Sequence, residues 1–307
     1  MLNGETLIHW LWLSLFSSLL LGLYEVSRKA ALRDSASLHV LLAANAGGLV
    51  SLGLALGLGQ DLAIAQRSEF FLVSFNAAQH AAVLFKSLLV STSWVLSYSA
   101  VKHLPITIAG PLRAVAPAFT VLGALVLFRE TPTGQQWLGI GVIFLGYLGF
   151  ARLGKGEGIS YTQSPYVALL VLGTVVGAMS GLLDKYLLQH VALQPTTMQF
   201  WFAFYTTLIQ LVLTCGLFLK NRGAAPPFHF TWGAPLAGVL LVVADQFYFR
   251  ALAEQGALVS VVSLVRRSSV MVSFSLGAWL FKEQLVRKKS LALLVVLSGL
   301  LLLITSR

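Results

Sequence analysis

The tetrapeptide Leu127-Phe128-Arg129-Glu130 recurs 153 residues later as Leu280-Phe281-Lys282-Glu283. The same spacing places Arg113 in register with Arg266. Agreement at separate points along the chain favours an internal duplication over chance.

A second set of matches, at a spacing of 159, joins small and acidic residues near the start of each half. The matched pairs are Ser14 with Gly173, Ser18 with Gly177, Gly22 with Gly181, and Glu25 with Asp184. An insertion of six residues between the two blocks accounts for the change in spacing. We therefore predict two copies of one unit, residues 1–155 and residues 156–307.

The composition is that of a membrane protein. Of the 307 residues, 57% are hydrophobic and only 10% are charged, whereas a soluble domain has roughly 25% charged residues. A bilayer-spanning helix needs about 20 apolar residues, and the apolar runs of this chain allow ten such helices. They are predicted at 7–28, 37–58, 79–101, 105–128, 134–151, 164–188, 196–220, 231–253, 256–281 and 288–306.

Ten helices in two copies give an odd number per copy, so the second copy must enter the membrane from the opposite side. Inverted repeats are typical of secondary transporters, whose binding site lies between the copies near the bilayer midplane. The predicted fold class is therefore an all-α integral membrane protein with ten transmembrane helices in two inverted five-helix repeats. The stripes of small residues in the first helix of each copy are predicted to pack closely against other helices.

The net charge of +10 does not indicate a nucleic-acid partner, because the basic residues are scattered singly and form no basic domain. Loops after odd-numbered helices hold 12 Lys and Arg residues and the opposite side holds 5. This bias favours an orientation with both termini outside. We expect a multi-pass protein of the bacterial inner (plasma) membrane, with the lipid bilayer as its main partner.

Charged residues inside the predicted spans are the sharpest functional signal, because an ionised side chain at the bilayer centre costs at least about 2.5–3.5 kcal/mol. They are Glu25, Lys86, Arg113, Asp184, Asp245, Arg266 and Arg267. Arg113 lies roughly 12 Å into the fourth span, and Arg266 is about as deep in the ninth. We predict that both guanidiniums reach one cavity and bind an anionic group together with Arg267, while Lys86 adds positive charge. The alternative is internal pairing, for example of Arg113 with Glu25, which would leave a neutral cavity.

The acidic residues Glu25, Asp184 and Asp245 are candidates for proton coupling or for counter-ions to the basic residues. Asp184 could instead form a local helix-end pair with Lys185. Aromatic residues that could line the cavity wall are Trp94, Tyr98, Phe247 and Tyr248.

Pro111 and Pro117 predict a break in the fourth helix, since proline removes a backbone donor. The ninth helix has no matching proline, so a break is predicted in one copy only. We find no catalytic nucleophile with a plausible partner, no phosphate-binding loop and none of the HxxH, HExxH or CxxC spacings. The prediction is a non-enzyme without metal or cofactor.

The chain resembles a known group of transporters. Pro105, Arg113, Pro117, Phe128-Arg129-Glu130 and Gln136-Trp137-Leu138-Gly139, with their echo in the second half, are similar to the EamA repeats of the drug/metabolite transporter superfamily. The resemblance covers essentially the whole chain and implies ten helices and secondary transport of small molecules. It also implies that both termini are cytoplasmic, which is opposite to the charge count.

Within that superfamily, Arg113 and the Arg266-Arg267 pair resemble the basic residues with which plastid-type triose-phosphate translocators bind phosphate. The resemblance therefore implies a phosphorylated or carboxylated substrate.

The predicted function is secondary active transport of a small organic anion by alternating access, with proton coupling or counter-substrate exchange. One alternative is a carrier of neutral or cationic metabolites such as amino acids or drugs. Another is a flippase for a phosphate-bearing lipid.

Overall fold

The computed structural model describes residues 4–32, 35–61, 71–103, 116–153, 164–220, 229–281 and 286–305, and these residues contain helices and no strand. The helices of the first half are α1 (Gly4–Ala31), α2 (Ser37–Asp61), α3 (Ala77–His103), α4 (Ala116–Phe128) and α5 (Gly134–Leu153). Those of the second half are α6 (Pro165–Lys185), α7 (Pro195–Lys220), α8 (Gly233–Ala253), α9 (Val259–Arg267), α10 (Ser269–Phe281) and α11 (Val286–Ile304). A π-helical turn, Tyr186–His190, extends α6.

Within these ranges, six helices are long and apolar enough to cross a bilayer. They are His9–Ala31, Ser37–Gly57, Ala77–Ser97, Pro165–His190, Pro195–Lys220 and Gly233–Ala253. The predicted all-helical membrane fold is confirmed at this level. Ten crossings stay a prediction.

The distribution of polarity is that of a protein in lipid. Large apolar side chains such as Val126, Trp279 and Leu291 lie on the outside. Serine, lysine and glutamine side chains, including Ser17, Lys86 and Gln199, are buried. Lipid provides no hydrophobic force between helices, so polar contacts and close packing must hold them together.

The most extensive helix contacts join the first half of the chain to the second. Helix α1 packs on α8 and α10, α3 packs on α6 and α7, α5 packs on α11, α2 packs on α7 and α8, and α4 packs on α6 and α9. The surface between the halves is therefore the main interior of the molecule, and a cavity there is bounded by helices of both.

The stripes of small residues lie at close helix contacts, in agreement with the predicted packing role. A Cβ atom added to Gly22 would come within 2.4 Å of Val272 Cβ and 2.8 Å of the Ser269 carbonyl oxygen. One added to Gly173 would lie 2.7 Å from Ser97 Oγ. Contacts this short leave no room for a side chain. Glycine at these two positions therefore lets α1 pack directly against α10, and α6 against α3.

The ninth span is broken at Ser268, between α9 and α10, so the prediction of a break in one copy only is wrong for this helix. The backbone tightens there, because the Ser268 N–H donates to the Val265 carbonyl at 3.0 Å and the Met271 N–H donates to the Ser268 carbonyl at 2.8 Å. The Ser268 hydroxyl donates to the Val265 carbonyl at 2.7 Å and lies 2.8 Å from Ser18 Oγ. Serine hydroxyls therefore supply polar partners at a break that has no proline.

Candidate functional site

A cavity of about 220 Å³ lies between the two halves. Helices α1, α3, α4, α6, α7, α8 and α9 contribute to its wall. The predicted site residues that line it are Glu25, Lys86, Trp94, Asp184, Asp245, Tyr248, Arg266 and Arg267. Arg113, Pro111 and the side chains of Tyr98 and Pro117 lie outside the described residues.

Lys86 and Asp184 form an ion pair across the halves. The Lys86 Nζ atom on α3 lies 3.2 Å from Asp184 Oδ1 on α6, and both side chains are almost completely buried. The same ammonium lies 3.2 Å from the centre of the Phe202 ring and 5.0 Å from that of Phe249, which adds a cation–π attraction. Lys86 thus lies at the cavity, as predicted, and its charge is paired with Asp184.

Arg266 is paired with Asp245. One terminal nitrogen of the guanidinium, Nη2, donates to Asp245 Oδ1. The guanidinium also lies 4.1 Å from the centre of the Tyr248 ring, and the Tyr248 hydroxyl donates to Asp184 Oδ2 at 3.3 Å. These contacts form a continuous polar strip from Asp245 to Lys86 along the cavity wall.

The pairing leaves part of the Arg266 guanidinium unused. Its Nε–H is buried and has no hydrogen-bond partner among the described residues. A buried donor without an acceptor costs about 1–3 kcal/mol, so an incoming acceptor would be favoured at this atom. A guanidinium offers five N–H donors in a planar fork, which suits a carboxylate or a phosphate.

At the end of α1, Glu25 pairs with Arg28 one turn further along the helix. Arg28 also donates to the Tyr24 hydroxyl at 3.3 Å. The predicted alternative partner of Glu25, Arg113, lies outside the described residues. Counting Arg28, the described cavity wall carries four basic and three acidic side chains, an excess of one positive charge.

Glu130 and Lys185 form a network next to the cavity that sequence reasoning missed. Lys185 Nζ donates to Glu130 Oε1 at 2.7 Å and to the Ala257 carbonyl at 3.1 Å. Lys185 therefore pairs with Glu130 and not with its neighbour Asp184. The only signal in the sequence was the recurrence of an acidic residue after helices four and nine.

The Glu130 carboxylate also caps the start of α9. It accepts the Val259 N–H at 2.8 Å and the Ser260 hydroxyl at 2.5 Å. Leu258, the residue before α9, makes no capping hydrogen bond with its side chain. A carboxylate from the other half of the chain caps this helix instead. Negative charge at a helix N-terminus is favourable, and this contact fixes the helix that carries Arg266.

Comparisons with known proteins agree with this architecture. Residues 8–152 match the model of the EamA-like transporter family, which confirms the predicted resemblance for that part of the chain. An uncharacterized transporter of Synechocystis sp. is 29% identical over 152 residues. That match covers 47% of this chain, and the chain spans 43% of the relative's length.

One solved structure, a crystal structure of a protein, superposes on this chain with a TM-score of 0.69 and 15% sequence identity, and the superposition covers 95% of each chain. At this identity the similarity shows the fold alone. The molecule is thus a multi-pass helical membrane protein, and its first half is similar to the EamA-like transporter family.

Proposed function

We propose that this chain, which belongs to the EamA-like transporter family over residues 8–152, carries a small organic anion through the cavity between two inverted five-helix repeats. The repeats are residues 1–155 and 156–307, and together they cross the bilayer, in a bacterial inner membrane, ten times. The protein acts as a secondary transporter by alternating access, and not as an enzyme.

The repeat assignment is supported by the pattern of helix contacts. We replace each helix by its counterpart in the other repeat, α1 by α6, α2 by α7 and α3 by α8. The contact of α1 with α8 then becomes that of α6 with α3, and the contact of α2 with α8 becomes that of α7 with α3, and both are present. Helices α9 and α10 together correspond to α4, and the contacts of α1 with α9 and α10 correspond to the contact of α6 with α4. A pattern that survives this exchange is what two related units around a pseudo-two-fold axis produce.

The anion assignment rests on Arg266, because its Nε–H at the cavity has no partner among the described residues. An anionic group that accepts this hydrogen bond would satisfy a donor which the described part of the chain leaves unpaired. The excess of one basic side chain in the described wall favours a guest with one net negative charge. In this proposal Arg267 also binds the anionic group, Lys86 adds positive charge, and Arg113 supplies the equivalent guanidinium from the first repeat.

The acidic residues then serve as counter-ions when the substrate is absent. Asp245 holds Arg266, and Asp184 holds Lys86. Binding of an anion would compete with these carboxylates for the same cations. Such an exchange of partners limits the cost of an empty charged site in the membrane.

A second candidate is a zwitterionic or neutral substrate such as an amino acid. It is favoured because Lys86 and Arg266 each already have a carboxylate partner, Asp184 and Asp245 respectively. A substrate with an ammonium and a carboxylate could exchange with one pair without changing the net charge of the cavity.

The test is a ligand screen by thermal shift on the purified protein in detergent. The panel contains monocarboxylates, phosphate monoesters, amino acids and alkylamines at equal ionic strength. We expect an anionic compound to raise the Tm of the wild type, and Arg266→Gln to lose that response. Arg152→Gln, which removes an exposed arginine of α5, should keep it.

If only zwitterions or amines raise the Tm of the wild type, the second candidate replaces a small organic anion as the substrate class. An anion response that is unchanged in Arg266→Gln would reject the role of this guanidinium.

A further inference from the structure

A second, much smaller hollow of about 20 Å³ lies beside Asp245, between α2, α7 and α8. A cavity needs about 10–15 Å³ of such volume to hold one water molecule, so this hollow accommodates a single water or a single dehydrated ion. The oxygen-bearing side chains in its wall are Asn45, Gln199, Thr206 and Asp245. The rest of the wall is apolar or small.

The polar groups around the hollow are buried and incompletely paired. Gln199 is only 1% exposed. Its Nε2 donates to the Val242 carbonyl, while its Oε1 has no hydrogen-bond partner in the described part of the chain. The Asn45 amide nitrogen, in a residue that is 8% exposed, is also unpartnered. Buried polar atoms nearly always have partners in native proteins, so these groups beside a hollow are open to a bound water or ion.

The remaining two side chains leave oxygen lone pairs available. The Thr206 hydroxyl uses its hydrogen to donate to the Phe202 carbonyl at 2.7 Å, so its oxygen can still accept a contact. Asp245 holds Arg266 through Oδ1, which leaves Oδ2. The Asn45 amide can present its oxygen to the hollow by a half turn of the side chain, since the two orientations have the same shape.

We propose that this hollow is a binding site for a monovalent cation of the size of Na⁺, coordinated by Gln199, Asn45, Thr206 and Asp245. Hard cations prefer oxygen ligands, and these four side chains supply a carboxylate, two amides and a hydroxyl. One carboxylate that is shared with Arg266 matches a single added charge better than a double one. A proton on Asp245 would need no hollow and would leave Gln199 Oε1 unpartnered.

The position of Asp245 connects this site to the large cavity, because its side chain lines both. A cation at Asp245 adds positive charge beside Arg266 and weakens the hold of the carboxylate on the guanidinium. Anion affinity at Arg266 therefore rises when the cation is bound, and by linkage the anion raises cation affinity equally. The inference rests on the proposed anion transport and makes it sodium-coupled.

The experiment measures the Tm of the purified full-length protein, without substrate, in NaCl, KCl and choline chloride at equal ionic strength. We expect a saturable rise with Na⁺ that choline does not give and K⁺ gives more weakly. Gln199→Leu and the isosteric Thr206→Val should each weaken the apparent Na⁺ affinity about tenfold or more.

Gln210→Leu is the matched control. Gln210 is a buried glutamine on the same helix and lies three turns further along the same face, away from the hollow. This variant should keep the Na⁺ response. Two independent site variants keep the test valid if one of them does not fold.

The second part measures anion affinity in Na⁺ and in choline for a compound found by the ligand screen. We expect about tenfold tighter binding in Na⁺, within the usual range of coupling. Anion binding without any Na⁺-specific effect would overturn the cation site, assign the hollow to water and leave the anion proposal standing. A pH effect in place of a Na⁺ effect would also overturn it.

A Na⁺ response in the wild type with no anion binding at all would keep the cation site and reject the proposed substrate class. A Na⁺ response that survives both Gln199→Leu and Thr206→Val would overturn the site, because the ion would then bind elsewhere.

Discussion

Substitution of Glu130 by glutamine tests whether a buried carboxylate holds the two halves together and fixes α9. The side chain keeps its shape and one acceptor oxygen, but its charge is lost. Lys185, which lies in the other half and is itself buried, then loses its carboxylate partner and keeps only neutral acceptors among the described residues, such as the Ala257 carbonyl at 3.1 Å. An ammonium left without its carboxylate in this position is expected to destabilise the folded state.

The magnitude follows from the geometry. Removing the charge of one partner of a buried ion pair costs about 3–5 kcal/mol. The glutamine oxygen can still accept the Val259 N–H, so the cap at the start of α9 is kept in part and changes this figure little. We therefore expect Glu130→Gln to lower the free energy of unfolding by about 3–5 kcal/mol. Adding Lys185→Met should recover most of the loss, because the unpaired charge is then gone.

The assay is reversible unfolding in mixed detergent and SDS, applied to both single variants and to the double variant. Glu254→Gln provides the control, because its contact with His9 is solvent-exposed, with 36% and 60% of the two side chains accessible. Exposed pairs contribute about 0–1 kcal/mol. A cost below about 1 kcal/mol for Glu130→Gln, or additive effects of the two substitutions, would show that this carboxylate does not hold the two halves together.

Two further substitutions test the packing and the cavity charges. Gly238→Ala should greatly reduce the yield of monodisperse protein in size-exclusion chromatography, because its Cβ would lie 1.7 Å from the Ala44 carbonyl oxygen. Gly216→Ala should behave as wild type, because its Cβ would have no atom of the described residues within 4 Å. Lys86→Met should lower the free energy of unfolding by about 3–5 kcal/mol by leaving Asp184 unpaired. Adding Asp184→Asn should restore most of it, and a double variant no more stable than Lys86→Met would contradict the pairing.

Much of the cavity could be predicted from sequence because charges are costly in lipid. Residues such as Lys86, Asp184, Asp245 and Arg266 have to face the interior of the bundle, and the structure places them around one cavity. Their roles in substrate binding stay predictions. The position of Arg113 lies outside the described residues, so its convergence with Arg266 stays a prediction too.

The pairings could not be predicted, because they depend on the rotation of each helix about its axis. The sequence distance of 55 residues between Glu130 and Lys185 gives no sign of contact. Similarly, nothing in the local sequence marks Ser268 as a helix break, since serine occurs within many helices. The break coincides with the contact of Ser268 with Ser18, which the packing of α1 against the ninth span creates.

The proposed transport requires that an anionic group binds Arg266 in the cavity between the halves. The most direct measurement is an experimental structure of the protein with the best anion from the ligand screen, at saturating concentration. The proposal predicts density for the anionic group within about 3 Å of Arg266 Nε. Density for the ligand away from this guanidinium, with Arg266 still held only by Asp245, would contradict it.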